Sequence, residues 1–342
     1  MTTKKKILIV GCVREKRNID AVTRYLRDMG EEFVVFDTAL FPEKKILNIH
    51  LRGNSKSIGG FLKDASLQDK IGWEDVKSVW MRKPEIPQAK TSLSQWQIDF
   101  VQSESRAALY SLYTNIDCFW MNHPLISMKL LEHNKLYQLK TAMRFGLQIP
   151  ETVITNDPNE LLSFCEQCGG ELAVKSIRGR IFRERISRKV LSLFTRHITY
   201  GELLKQQDTI ALAPVFAQRY IAKKIELRIT IVGHKIFACA IHSQDSEKTK
   251  YDWRNYDFQN VRHEAFSLPK SIKEKLLALM RFWKLSFGAV DMILTPKEEY
   301  VFLEINQTGQ WGWIEDLARL PISCTIAETL AHPPRKMGTV PF

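Results

Sequence analysis

The chain has 342 residues, 44% of them apolar and 26% charged, with a formal net charge of +12. That length exceeds a usual single core and suits two or three domains, and the balance excludes a disordered or fibrous chain. No run of about 18 apolar residues could span a bilayer, and the stretch before Arg14 is too short for a signal peptide, so a cytoplasmic location is expected.

The opening KKKILIVGCVREKRNIDAVTRYLRDMGEEFVVFD reads as strand, turn, helix, strand. Val22, Tyr25, Leu26 and Met29 supply an apolar stripe and Gly30 ends the helix, which gives a βαβ start with a parallel sheet behind it. Gly11 stands alone where a dinucleotide site needs G-x-G-x-x-G. A polar helix is expected from Ser94 to Thr114, followed by FWMNHP. In NKLYQLKTAMRFG a helix closes at Gly146, with Leu136, Leu139 and Met143 expected on one face. Asp157-Pro158 caps the next helix. That helix ends near Cys165 and Cys168, a C-x-x-C without a second pair for zinc, read as two packed thiols.

ELAVKSIRG is a strand running into a basic segment, where Lys175, Arg178, Arg180, Arg183, Arg185, Arg188 and Lys189 face only Glu184. Such a field attracts nucleic acid, nucleotide, anionic membrane or a carboxylate-rich peptide, or is simply a solvated loop. No zinc-finger or RNP signature accompanies it, and no aromatic residues are interleaved as a stacking platform. VFAQRYIAKKIELRITIVGHKIFACAIHS gives a strand, a connection and a hairpin turning at Gly233; SIKEKLLALMRFWKL is a helix with Ile272, Leu276, Met280 and Trp283 on its apolar side. Composition shifts place boundaries near 120 and 216.

The last hairpin carries the chemistry. The run Ala289 to Leu294 stops at Thr295-Pro296-Lys297-Glu298, a turn signal, and VFLEIN returns. With a four-residue loop, Pro296 to Glu299, Asp291 faces Glu304, and strict alternation puts Phe302, Glu304 and Asn306 on one side, with Val301, Leu303 and Ile305 on the other. Two carboxylates opposed on an apolar hairpin need a positive partner. Asp, Glu and Asn offer hard oxygen donors, which select Mg2+ or Mn2+, and Mg2+ shares its shell with substrate phosphates. The plain alternative is a solvated edge with a local hydrogen bond at Asp291.

The order of parts resembles the ATP-grasp ligases, and most closely the microviridin-type graspetide ligases that cross-link side chains of ribosomal peptides. The resemblance rests on WMRKP at 80 to 84, FWMNHP at 119 to 124, NKLYQLKTA at 134 to 142, IHSQ with DWR at 252 to 254, FGAVDMILTP and FLEINQTGQWGWIE, and covers nearly the whole chain. It implies an ATP-grasp fold of the α/β and α+β classes: a pre-ATP-grasp N-terminal domain at 1–120, a central lid subdomain at 121–215 and a C-terminal catalytic subdomain at 216–342. It implies that Lys135 and Lys175 neutralise ATP phosphates and that Gln218, Tyr220 and Ile221 border the adenine. Glu226 would take the ribose hydroxyls, and Arg228 would stabilise the transferred phosphoryl group unless it pairs with Glu226. Asp291, Glu304 and Asn306 would hold Mg2+, with Mn2+ a substitute. Arg82 and Arg254, each beside a Trp, would meet substrate carboxylates. Gln307 stands where many relatives have Pro.

The implied reaction is ATP-dependent phosphorylation of Asp or Glu side chains of an acidic ribosomal precursor peptide with a leader, then ester formation with Ser or Thr or amide formation with Lys. No nucleic acid and no membrane are implied, and a homodimer is allowed. Two rivals stay open: an ATP-grasp ligase that adds a free amino acid to a protein or metabolite carboxylate, and a nucleotide-gated binding protein without ligase activity.

Overall fold

A computed structural model describes residues 5–53, 58–65, 70–126, 131–132, 134–178, 181–183 and 190–334, the backbone alone at 181–183 and 190–192. Strand β1 (Lys6–Gly11), helix α1 (Lys16–Asp28) and β2 (Phe33–Asp37) form the expected βαβ unit. β3 (Lys45–His50), β4 (Gly59–Asp64) and β5 (Lys70–Gly72) make a small antiparallel sheet. β6 (Val76–Met81), α2 (Gln95–Asn115) and β7 (Phe119–Met121) complete a parallel sheet of order β2-β1-β6-β7. Ile7 and Ile9 on one face of β1 join a core with α1, whereas Leu8 and Val10 on the other join one with α2.

The central part runs α3 (Lys135–Arg144), β8 (Thr152–Thr155), α4 (Pro158–Gln167), β9 (Glu171–Lys175), β10 (Ile181–Arg183), β11 (Val190–Ser192), β12 (Arg196–Thr199), α5 (Tyr200–Leu204), α6 (Gln207–Ile210) and β13 (Val215–Arg219). Its sheet has the order β12-β9-β13-β8. The Asp157 side chain caps α4 by accepting from the Asn159 amide, and Cys165 and Cys168 are free, buried thiols in the core beneath.

β14 (Ile225–Val232) turns at Gly233, whose φ of 59° suits a residue without Cβ, into β15 (Lys235–Ile241). β16 (His263–Phe266), α7 (Lys270–Phe282), β17 (Phe287–Leu294), β18 (Tyr300–Asn306), α8 (Gly312–Ala318) and α9 (Ile322–Ala331) follow. The sheet β16-β15-β14-β17-β18 covers α3 and α7 on one face, while α9 packs on α1 and lends Ile322, Ile326 and Leu330 to the N-terminal core.

Two local expectations are corrected. The turn between β17 and β18 is a residue shorter than a four-residue loop: Thr295 and Glu299 close it, with Glu298 left-handed at φ 62°. A bulge beside Asp291 restores the register, so Asp291 does face Glu304, as Arg228 faces Asp291 across β14. The extra residue breaks strict alternation: Phe302 and Ile305 both enter the core, and Leu303 joins Glu304 on the cleft side. On α3, Leu136 and Met143 are exposed, and the buried stripe is Gln138, Leu139 and Ala142. Gln138 displaces the apolar pattern because its side chain is needed inside, accepting from the Ile305 amide and donating to the Leu131 carbonyl. Lys135 starts this i, i+3, i+4, i+7 stripe and is thereby aimed at β18.

Candidate active site

The cleft between the central sheet and the C-terminal sheet is lined by Lys175, Gln218, Tyr220, Ile221, Glu226, Asp291 and Glu304 among others. A second cavity adjoins it, bordered by Lys83, Lys135, Arg228 and Asn306, and the two share Trp253, Arg254, Asp291 and Glu304. Eleven of the twelve residues singled out in the sequence therefore converge, and one, Arg82, does not line either space.

Glu304 is the electrostatic centre. Lys135 Nζ lies 3.0 Å and Arg254 3.5 Å from its carboxylate. Burial alone would raise the Glu304 carboxyl, but Lys135, Arg254 and Lys175 outweigh it and hold it well below the usual carboxylate range. Burial pushes the Lys175 ammonium down to about 8, with Glu304 opposing and Lys135 adding repulsion. Lys175 donates to Gln218 Oε1 at 3.0 Å, and Gln218 is itself held by a bond to Thr152 Oγ1. The Gln218 side chain thus aims a lysine.

Arg228 pairs with Asp291, Nη1 lying 2.9 and 3.0 Å from the two oxygens, and not with Glu226 as the rival reading had it. Their cross-strand register makes this contact, whereas Glu226 takes Lys223 at 2.9 Å. Burial raises the Glu226 carboxyl, with Lys223 opposing. Arg254 is clasped by Asp252, at 2.7 and 2.8 Å; this pair holds the Asp252 carboxyl down to about 2 against the cost of its burial. The ring of the DWR tryptophan, Trp253, lies 5.8 Å from the Arg228 guanidinium.

Arg82 departs from the role expected of it. It is 1% exposed, paired with Glu15 at 2.7 Å and bonded to the carbonyls of Thr308 and Gly309 and to Gln310 Oε1. Its guanidinium lies 4.4 Å over Trp311, not over Trp80. Apart from Nε, which is buried without a hydrogen-bond partner, its guanidinium contacts groups of the fold, so Arg82 braces the turn after β18 and lines neither cavity. That turn matters to the site, because Arg228 Nη2 donates to the Gln310 carbonyl.

Two features escaped the sequence. His197 stacks on Tyr251 at 4.8 Å and 8°, with Tyr220 edge-on at 4.7 Å from His197, forming an aromatic wall of the first cleft. Asn122 of FWMNHP is buried, accepts from the Ser286 and Phe287 amides and donates to the Phe287 and Gln307 carbonyls, fastening the start of β17 to the end of β18. The Gln307 contact is made by its carbonyl, which a proline would also offer, so this departure from the family pattern leaves the link intact. Of the basic segment, Arg178 lines the second cavity; Arg180, Arg185, Arg188 and Lys189 lie outside the described residues, and of Arg183 only the backbone is described.

Asp291, Glu304 and Asn306 converge on the second cavity as three side-chain oxygen donors. No cluster of three His, Cys, Asp or Glu exists among the described residues. A carboxylate pair with an amide, incomplete by itself and beside a cleft, fits a hard divalent cation whose shell is completed by substrate oxygens. Oxygen donors, paired lysines and an aromatic-walled cleft between two α+β sheets define an ATP-grasp enzyme.

Residues 6–126 match the MvdD pre-ATP grasp domain. The RiPP-associated ATP-grasp ligase of Chryseobacterium gregarium, solved in complex with ADP and a leader and core peptide, is 30% identical, with 98% of this chain and 99% of that one covered and a TM-score of 0.88. Macrocyclase MdnC of Microcystis aeruginosa MRC, bound with precursor peptide MdnA, is 29% identical over 96% of this chain and 100% of that one, TM-score 0.84. Macrocyclase MdnB of the same organism is 29% identical over 96% and 99%, TM-score 0.77. No curated protein matches the chain. The chain belongs to the RiPP-associated ATP-grasp ligases. It is an ATP-dependent ligase with an ATP-grasp fold preceded by a pre-ATP-grasp domain.

Proposed function

We propose that the chain closes side-chain rings in an acidic ribosomal precursor peptide in the cytoplasm, using ATP to activate Asp or Glu. The observation that carries this reading is the pair of adjoining cavities with Asp291, Glu304, Trp253 and Arg254 in their common wall. One space suits a nucleotide and the other a substrate carboxylate, with the cations between them. The related ligase and macrocyclase bound to leader, core or precursor peptides support the class of substrate.

In this reading the carboxylate oxygen attacks the γ-phosphorus, the bond to the β-phosphate oxygen breaks, and ADP leaves. A Ser or Thr hydroxyl or a Lys amine then attacks the acyl carbon; the carbon–oxygen bond to phosphate breaks, and the nucleophile's proton is lost. Lys175 and Lys135 bind the phosphates, and Arg228 and Arg254 offset charge on the transferred group, so catalysis rests on positioning and electrostatics. The wall of His197, Tyr220 and Tyr251 flanks the base, with Gln218 and Ile221 at its edge and Glu226 on the ribose. Asp291, Glu304 and Asn306 would hold Mg2+, with Mn2+ a substitute; the cation neutralises phosphate charge when bound. The division into units at 1–120, 121–215 and 216–342 goes with this reading, except that β13 pairs with β8 and β9, which moves the second boundary from 215 to after Arg219.

The test is mass spectrometry of an encoded neighbouring small peptide co-expressed with the chain. One water lost per ring supports the reading. A mass gain by whole amino acids would instead establish the ligase that adds free amino acids, and unchanged peptide without ADP release would refute both.

A further inference from the structure

Lys83 lines the second cavity and has no part in the reaction outlined above. It follows β6, at the carboxyl end of a parallel sheet, the edge at which such sheets present ligands. Its φ of 45° is left-handed, a conformation that residues bearing a Cβ seldom adopt. Pro84 comes next, and a residue before proline is pushed toward extended backbone. Lys83 is therefore held against two preferences, as residues at binding sites often are. The consequence is that neighbours diverge: Arg82 turns inward to Glu15 and the Thr308 and Gly309 carbonyls, while Lys83 borders the cavity.

The charges around it are unevenly matched. Of the other cations at this cavity, Lys135 is taken by Glu304, Arg228 by Asp291, and Arg254 by Asp252 and Glu304. Arg178 is exposed. Lys83 has Glu15 at 3.5 Å, but Glu15 already serves Arg82 at 2.7 Å, Asn18 at 3.0 Å and Gln310 at 2.8 Å. Burial and then Arg82 push the Lys83 ammonium down to about 8, Glu15 opposing and Arg228 adding to the repulsion. An anion beside Lys83 would relieve this. Trp253, Tyr256 and Trp313 line the same space and offer apolar faces to the chain bearing that anion.

We infer that Lys83 binds the side-chain carboxylate of the peptide residue about to be phosphorylated, and so helps to select which residue meets the nucleotide. This rests on the peptide-activating reaction proposed above. Lys83 replaces Arg82 as the WMRKP residue that meets substrate.

The experiment is steady-state ADP release from purified full-length chain at saturating ATP with a linear precursor, for wild type, Lys83→Met and Lys83→Arg. Lys83→Met should raise the precursor KM about tenfold or more, leaving the KM for ATP within about twofold, and Lys83→Arg should recover most of the loss. A bracing role would move thermal stability and both KM values together. Should Lys83→Met fail to fold, Lys83→Gln carries the same comparison. An unchanged precursor KM in a folded variant overturns the assignment of Lys83 while wild-type turnover upholds the reaction. Absence of precursor-dependent ADP release in wild type overturns the reaction and this assignment with it.

Discussion

Arg228 Nη1 donates to both oxygens of Asp291, at 2.9 and 3.0 Å, from the directly opposed position on the neighbouring strand. Both side chains are at most 10% exposed, so neither charge can turn to water when the other is removed. Asp291→Asn should therefore abolish turnover and also destabilise the fold, by about 3–5 kcal/mol for a broken buried pair. Adding Arg228→Met should return much of the stability without activity. Denaturant titration of the two single variants and the double variant checks this; an Asp291→Asn chain as stable as wild type would show that the pair is not buried in solution.

Glu304→Gln tests the other carboxylate under different conditions. Three cations surround Glu304, and the variant keeps its shape but leaves them mutually repelling. Metal-dependent ADP release should be lost. ATP, which brings compensating negative charge, should stabilise the variant more than it does wild type. Thermal melts with and without ATP report the difference, and equal ATP-induced shifts would remove Glu304 from the nucleotide's surroundings.

What the sequence told of this pair, and what it hid, has a physical basis. The facing of Asp291 and Glu304 was legible although the loop length was not, because a shorter turn and a bulge displace the register by one residue each in opposite senses. The face of Lys135 was hidden because a polar residue, Gln138, occupies the buried stripe that an apolar pattern assigned to Leu136 and Met143. The stacking of His197 on Tyr251 joins a residue of β12 to one in the connection between β15 and β16, and leaves no periodic trace. Arg82 was placed at the substrate because a motif arginine beside tryptophans suits that role. Its three-dimensional neighbours, Glu15 and Gln310, lie far away in sequence.

Arg82 should accordingly behave as a structural residue. Arg82→Met leaves Glu15 buried, 5% exposed, with Lys83 at 3.5 Å as its remaining cation. Stability should fall by about 3–5 kcal/mol, and Glu15→Gln in the same chain should restore part of it. Chemical denaturation of the double-mutant cycle supplies the coupling. A stable Arg82→Met chain with an impaired precursor KM would return Arg82 to the substrate site.

Lys175 carries a pH dependence of two opposite signs. Its ammonium is held at about 8 in the folded chain against an ordinary value of 10.5. Between those values the unfolded state binds more protons, so the nucleotide-free fold gains stability as pH rises from about 8 toward the ordinary value. Nucleotide affinity should do the reverse. Phosphates favour the ammonium, so binding above pH 8 must take up a proton, and Kd should rise by up to about tenfold per pH unit. Calorimetry of ADP binding in buffers of different ionisation enthalpy measures the uptake. Lys175→Arg, charged throughout, should abolish it; proton uptake persisting in that variant would assign the effect elsewhere.

Tyr251 stacks on His197 and stands 6.0 Å from Tyr220, and all three line the first cleft. Stacking of a base on an aromatic ring contributes about 1–3 kcal/mol, so Tyr251→Ala should weaken ATP binding by about 5-fold to 150-fold. Tyr251→Phe should cost little, since the Lys223 contact at this position is to the Tyr251 carbonyl rather than its hydroxyl. Titration with ATP and with inorganic triphosphate separates base from phosphate recognition: Tyr251→Ala should lose affinity for the nucleotide and keep it for triphosphate. Equal losses for both would mean that Tyr251 supports the phosphate lysines, and the base would then have to be sought along another wall of the cleft.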